Sequence, residues 1–171
     1  HLRDKSGKLL KDEEGRTLIP DFVLHFPNHR DVVVDSKISF TAYERYVNTE
    51  EPDEQAKWLK EHIASVRAQV ERLAKKDYSK FVKEGYNKLN FVIMYIHTEG
   101  ALNLALMNDG RLWKEAYDKG VLILGPQTMY MNLRILELMW TQSRQLGNQK
   151  KIVDTAAEMI KRTQVLAERF N

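Results

Sequence analysis

Apolar positions follow two rhythms along this chain. Leu18 to Phe26 and Val32 to Ile38 are short runs rich in Val, Ile and Phe, separated by Pro27-Asn28-His29-Arg30. Such runs around a turn-forming segment predict an antiparallel hairpin. After Phe40 the spacing becomes helical. Pro52-Asp53-Glu54 reads as a helix start, and Trp58, Ile63, Val66, Val70 and Leu73 follow at helical spacings. Tyr78 to Asn90 is polar and holds Gly85, which predicts loop or frayed helix. Phe91 to Ile96 is apolar on both faces, as an interior strand requires. Thr98 is placed to cap a helix carrying Ala101, Leu102, Ala105 and Leu106. Leu112 to Tyr117 adds a further helical turn or two up to Gly120, and Val121 to Leu124 reads as a last strand stopped by Gly125-Pro126. Two long helices are expected at about 127–146 and 149–170, broken at Gly147-Asn148. Residues 1–17 are polar and glycine-punctuated, a turn-rich lead-in.

The order is hairpin, helices, strand, helices, strand, helices. It predicts an α/β fold with a mixed sheet flanked by helices and long C-terminal helices. The 171 residues suit one domain, 1–171, and can bury roughly two thirds of their unfolded surface without a staple. With no cysteine, disulfides, thiolate catalysis and cysteine-bound zinc are excluded. A net charge of +3 permits an anionic partner without demanding one. The longest apolar run, Phe91 to Ile96, falls far short of the ~20 residues of a spanning helix, so this stretch is expected to make no membrane contact. The chain opens His1-Leu2-Arg3-Asp4, which reads as an excised piece of a longer protein.

The hairpin carries the candidate chemistry. Strand side chains alternate faces, so Asp21, Val23 and His25 share one face of the first run. Val33, Asp35, Lys37 and Ser39 share one face of the second. If these faces coincide, Asp21 lies opposite Asp35 or opposite Lys37. Opposite Cβ atoms lie roughly 4.5–5.5 Å apart, so two carboxylates and an ammonium would meet in one patch. Two such carboxylates repel unless a positive charge lies between them. Mg²⁺ suits them, because it takes one or two carboxylates and completes its shell with water and phosphate oxygens. A nearby lysine can then offset charge on a reacting phosphate. Taken alone, the same residues also suit a solvated salt-bridge cluster.

Pro20-Asp21 followed by Asp35-Ser36-Lys37 resembles the signature of metal-dependent PD-(D/E)XK nucleases. The stretches PDFVLHFP, VVVDSKISFTAYERYVN, KDYSK, FVIMYIHTEGAL and GVLILGPQTMYMNLRILELMWTQSRQ, in this order, resemble the RmuC family of bacterial DNA recombination proteins. The resemblance runs from about residue 18 to 165. It implies a restriction-endonuclease-like fold, DNA as partner, Mg²⁺ or Mn²⁺ as cofactor and hydrolysis of DNA phosphodiesters. It also implies a cytoplasmic domain, with self-association through an upstream coiled coil and, in many family members, an inner-membrane anchor. Residue by residue, Asp21 and Asp35 would bind the metal, Ser36 would lend its backbone carbonyl, and Lys37 would be the catalytic lysine.

Other residues fit less specific roles. Tyr43 and Tyr46, i and i+3 on a short helix, suit base stacking or packing alike. Arg72 to Lys83 is basic with interleaved aromatics, which makes Lys75 and Lys76 candidate phosphate contacts. Arg144 is a further candidate. His25 reads as a surface histidine, His62 as a packing or hydrogen-bonding one, and Glu99 as a helix-start carboxylate. The alternatives to a nuclease are a DNA-binding module without chemistry and an assembly scaffold built on the terminal helices.

Overall fold

A computed structural model describes residues 20–27, 30–76, 87–88 and 91–169, with side chains throughout except at 87–88 and 163–169. Two compact units form, His1–Asn132 and Leu133–Asn171.

The first unit holds a mixed sheet. Its strands are β1 (Phe22–Phe26), β2 (Arg30–Asp35), β3 (Asn87–Lys88), β4 (Val92–Tyr95) and β5 (Val121–Leu124). Their order is β1-β2-β4-β5, with β3 also pairing with β2. The expected hairpin forms: β1 and β2 run antiparallel with Phe22 opposite Val34 and Val23 opposite Val33. All other pairings are parallel. β4 lies between β2 and β5, as its two-sided apolar composition required. The lead-in and most of the polar segment 78–90 lie outside the described residues. Asn87–Lys88, however, extends as strand against β2, where the sequence suggested loop or frayed helix.

Helices follow the strands: α1 (Thr41–Val47), α2 (Pro52–Lys75), α3 (Glu99–Asn108), α4 (Leu112–Asp118) and α5 (Pro126–Arg169). Helix α2 starts with Pro52 in its first turn and buries His62, Val66, Gln69, Val70 and Leu73. Those spacings of three and four define one stripe. The stripe packs into a core with Val33 and Met94 of the sheet, Ala101, Leu102 and Ala105 of α3, and Leu112 and Ala116 of α4. Across the sheet, Val32, Val34 and Ile93 pack with Met129 from the first turn of α5. The sheet is therefore covered on both faces. Each fully buried aliphatic side chain contributes roughly 1.5–3 kcal/mol. Gly120, at φ 75°, ends α4 in a conformation that costs a glycine nothing sterically and turns the chain into β5.

Two local expectations are corrected. Thr98 precedes α3 as foreseen but makes no capping hydrogen bond with its side chain. The break at Gly147-Asn148 is absent, since α5 runs unbroken from Pro126 to Arg169. An exposed glycine costs a helix only about 1 kcal/mol relative to alanine. The helix-favouring Gln142, Arg144, Gln145, Leu146, Gln149 and Lys150 around it outweigh that. Most of α5 in the second unit is solvent-exposed, including Leu146, Ile152, Val153 and Ile160. Among the described residues, no helix is long and apolar enough to cross a membrane. The mixed α/β architecture is as the sequence pattern required.

Candidate active site

The β1–β2 ladder ends with Phe22 opposite Val34. Beyond it the Asp21 amide still donates to the Val34 carbonyl at 3.2 Å, so Asp21 lies beside Val34 at the end of β1, and Asp35 is the last residue of β2. There β2 stops. Residues 36–40 are irregular, and the Ile38 amide turns back to donate to the Ser36 carbonyl at 2.9 Å. Strand alternation therefore no longer governs Lys37, which the sequence placed inside a strand running to Ile38.

Asp21 makes the outer half of the site. One of its oxygens accepts from the Ser36 amide at 2.6 Å and from the Ser36 hydroxyl at 2.7 Å. The other lies 3.3 Å from the Lys37 ammonium, whose side chain is half exposed. Partial burial works to raise the Asp21 carboxyl, but the Ser36 hydroxyl and amide and the Lys37 ammonium outweigh it and hold it below its ordinary value of 3.8.

Asp35 makes the inner half and is fully buried. Its Oδ1 accepts from the Lys37 amide at 3.2 Å and from Gln69 Nε2 at 3.3 Å. Its Oδ2 accepts from the Lys76 ammonium at 3.1 Å. Arg72 lies 3.9 Å from Oδ1 and donates to the Lys37 carbonyl at 3.1 Å. Gln69, Arg72 and Lys76, at i, i+3 and i+7, share the side of α2 that faces the strand. The sequence reading did not assign Gln69 or Arg72 to Asp35. The available signal was a glutamine set among the apolar positions of the α2 stripe.

The two carboxylates, Ser36 and Lys37 thus gather at the end of the β1–β2 ribbon. Lys76 is drawn onto Asp35, while Lys75 on the same turn is exposed. Tyr43 packs half-buried against the core, its ring 5.7 Å from that of His62. His62 is buried and bonds the Ala101 carbonyl through Nε2 at 2.8 Å, in keeping with a packing and hydrogen-bonding role. His25 is exposed and bonds Asp31 at 2.8 Å. Glu99, in the first turn of α3, accepts from the Gln127 amide of α5 at 3.2 Å. It lies so close to Gly125 that a Cβ there would meet its Oε2 at 2.7 Å. Arg144 is exposed on α5 in the second unit.

Among the described residues, no group of three or more His, Cys, Asp or Glu side chains is placed to hold a metal ion. Two carboxylates still match a hard divalent ion that takes one or two of them and fills its shell with water and phosphate. Asp21 and Asp35 are of that donor type, and both already accept from protein donors.

The lowered Asp21 carboxyl has a testable consequence. Its pairing stabilises the fold fully above the ordinary aspartate value and loses that contribution as pH falls through the lowered one. In urea unfolding followed against pH, wild type should exceed Asp21→Asn by a constant margin from pH 7 to about 5. The margin should shrink below about pH 4. A margin that does not change in acid would contradict the pairing.

Comparison with known proteins places the chain. The RmuC family model matches residues 5–171. The chain is 38% identical over 157 residues to the DNA recombination protein RmuC homolog of Neisseria meningitidis serogroup A, covering 91% of this chain and 26% of that protein. The homolog from Haemophilus influenzae is 37% identical over 161 residues, covering 94% and 35%. The DNA recombination protein RmuC of Escherichia coli K12 is 36% identical over 140 residues, covering 82% and 29%. The chain thus spans about a quarter to a third of the length of these curated relatives. No solved structure matches it. With a family model matched over nearly its whole length, this chain belongs to the RmuC family.

Proposed function

We propose that this chain is the nuclease-like part of a DNA recombination protein, with a restriction-endonuclease-like core that hydrolyses DNA phosphodiesters with Mg²⁺ or Mn²⁺. The observation that carries the reading is that Lys37 joins the two acids at the end of one ribbon, its ammonium 3.3 Å from Asp21 and its amide donating to Asp35 at 3.2 Å. The names of the curated relatives supply the DNA and the recombination.

In this reading Asp21 and Asp35 hold the ion, with the Ser36 carbonyl beside them. The ion, when bound, supplies positive charge to the phosphodiester and to the water that attacks it. The Lys37 ammonium, half exposed at the rim, orients that water and offsets charge on the phosphate oxygens. Asp21 holds Lys37 in place, and Ser36 fixes the rotamer of Asp21 through two hydrogen bonds. The exposed Lys75 and Arg144 contribute phosphate contacts elsewhere on the chain. Tyr43 packs against the core beside His62 and Gly100.

The test is incubation of the full-length protein with labelled linear and branched DNA, with and without Mn²⁺, beside Asp21→Asn. Metal-dependent cleavage that Asp21→Asn abolishes is the expected result. A second reading, a DNA-binding module without hydrolysis, is favoured by the protein's own cations resting on Asp35. DNA that is bound but left intact under every metal condition selects it.

A further inference from the structure

Asp35 is fully buried, yet its carboxylate already has a cation. The Lys76 ammonium sits 3.1 Å from Oδ2, and the Arg72 guanidinium lies 3.9 Å from Oδ1. A divalent ion bound by Asp35 would need a carboxylate oxygen at about 2.0–2.1 Å. An ammonium at hydrogen-bond distance from the same oxygen would then face a doubly charged ion across a few ångströms, inside a poorly screened pocket. The two cations compete for one anion.

Of the two groups, Lys76 is the one that can leave. It stands at the C-terminal cap of α2, and its side chain keeps 17% of its exposure while Asp35 keeps none. A lysine can swing its head group into water on a flexible four-carbon stem. Gln69 and the Lys37 amide meanwhile continue to hold Oδ1 and fix the carboxylate in place.

We propose that Lys76 is the resident counter-cation of Asp35 and that a divalent ion binds this site only by displacing it. The inference rests on the reading of Asp35 as a metal ligand. Lys76 then keeps the buried carboxylate neutralised in the metal-free protein and sets the threshold of metal concentration at which the site loads. The cost is a weaker apparent affinity for the ion, since part of its binding energy goes into breaking the Asp35–Lys76 pair. Two sequence-based roles, Asp35 as ligand and Lys76 as phosphate contact, become successive states of one exchange.

The experiment uses the full-length protein and Mn²⁺ as the probe. Calorimetry compares wild type, Lys76→Met and Lys76→Arg. In parallel, the reactivity of the Lys76 amine toward an acetylating reagent is read by mass spectrometry in wild type, with and without Mn²⁺. Lys76→Met should bind Mn²⁺ about tenfold more tightly than wild type, within the usual range for coupled equilibria. Lys76→Arg should stay near wild type, and Lys76 acetylation should rise several-fold with Mn²⁺. Should Lys76→Met fail to fold, the acetylation measurement on wild type decides alone. Equal or weaker binding by Lys76→Met, or Lys76 reactivity unchanged at saturating Mn²⁺, overturns the exchange while leaving the metal site standing. Absence of Mn²⁺ binding in all three proteins overturns the metal reading itself, and this inference with it.

Discussion

Asp35→Ala should destabilise the fold by about 1–3 kcal/mol, the usual cost of leaving a buried donor such as the Gln69 amide without its acceptor, since the Lys76 ammonium can reach water. The carboxylate is wholly shielded from water at the end of β2, beneath α2. Its removal takes the acceptor away from the Lys76 ammonium at 3.1 Å and from the Gln69 amide at 3.3 Å, a side chain that is itself buried. It also takes the acceptor from the Lys37 amide, which helps turn the chain out of the strand. Asp35→Asn should lose less, because it keeps an oxygen for Gln69 and Lys37, although it loses the charge facing Lys76 and Arg72 and the acceptor for the Lys76 ammonium. Urea unfolding of the three proteins gives the order directly. A loss below about 1 kcal/mol for the alanine variant would mean that the pair behaves as a solvated one. The result also bears on experimental design. Asp21→Asn and Lys37→Ala are cleaner probes of catalysis than any change at Asp35, because neither removes a fully buried charge.

Lys37→Ala should cut DNA cleavage by roughly 10²–10³-fold, the range for losing one well-placed electrostatic contact to a transition state. Stability should move by no more than about 0.5 kcal/mol, because the side chain is half exposed and its ion pair with Asp21 is partly solvated. Mn²⁺ binding should persist, since the assigned ligands are Asp21 and Asp35. Single-turnover cleavage and Mn²⁺ calorimetry on the same preparation separate the two effects. Equal loss of cleavage and metal binding would contradict the role given to Lys37. Unchanged cleavage would remove Lys37 from the chemistry.

Much of the fold was legible because local pattern and tertiary demand agree. The hairpin shows in two Val-rich and Phe-rich runs around a turn segment, and β4 shows in residues apolar on both faces. Period-two alternation correctly assigned Val32 and Val34 to one face of β2 and Val33 and Asp35 to the other. It failed where the strand ended. Lys37 is reached through a turn held by Ser36 and Asp21, so its direction comes from side-chain hydrogen bonds that no alternation rule encodes. The glycine at 147 misled for a related reason: a local penalty of about 1 kcal/mol is small beside the summed preference of the helix around it.

The amino-acid order alone thus determined the α/β class and put Asp21 and Asp35 on the two strands of one hairpin, because both follow from residue type and short-range spacing, while the resemblance of whole stretches pointed to the family. Whether the polar face of that ribbon meets solvent or a helix depends on contacts between residues more than thirty positions apart. Only the folded chain could bring Gln69, Arg72 and Lys76 over Asp35. That packing turned an expected open carboxylate into a buried one with a cation of its own. Burial and pairing are properties of the assembled tertiary structure, and no window of neighbouring residues contains them.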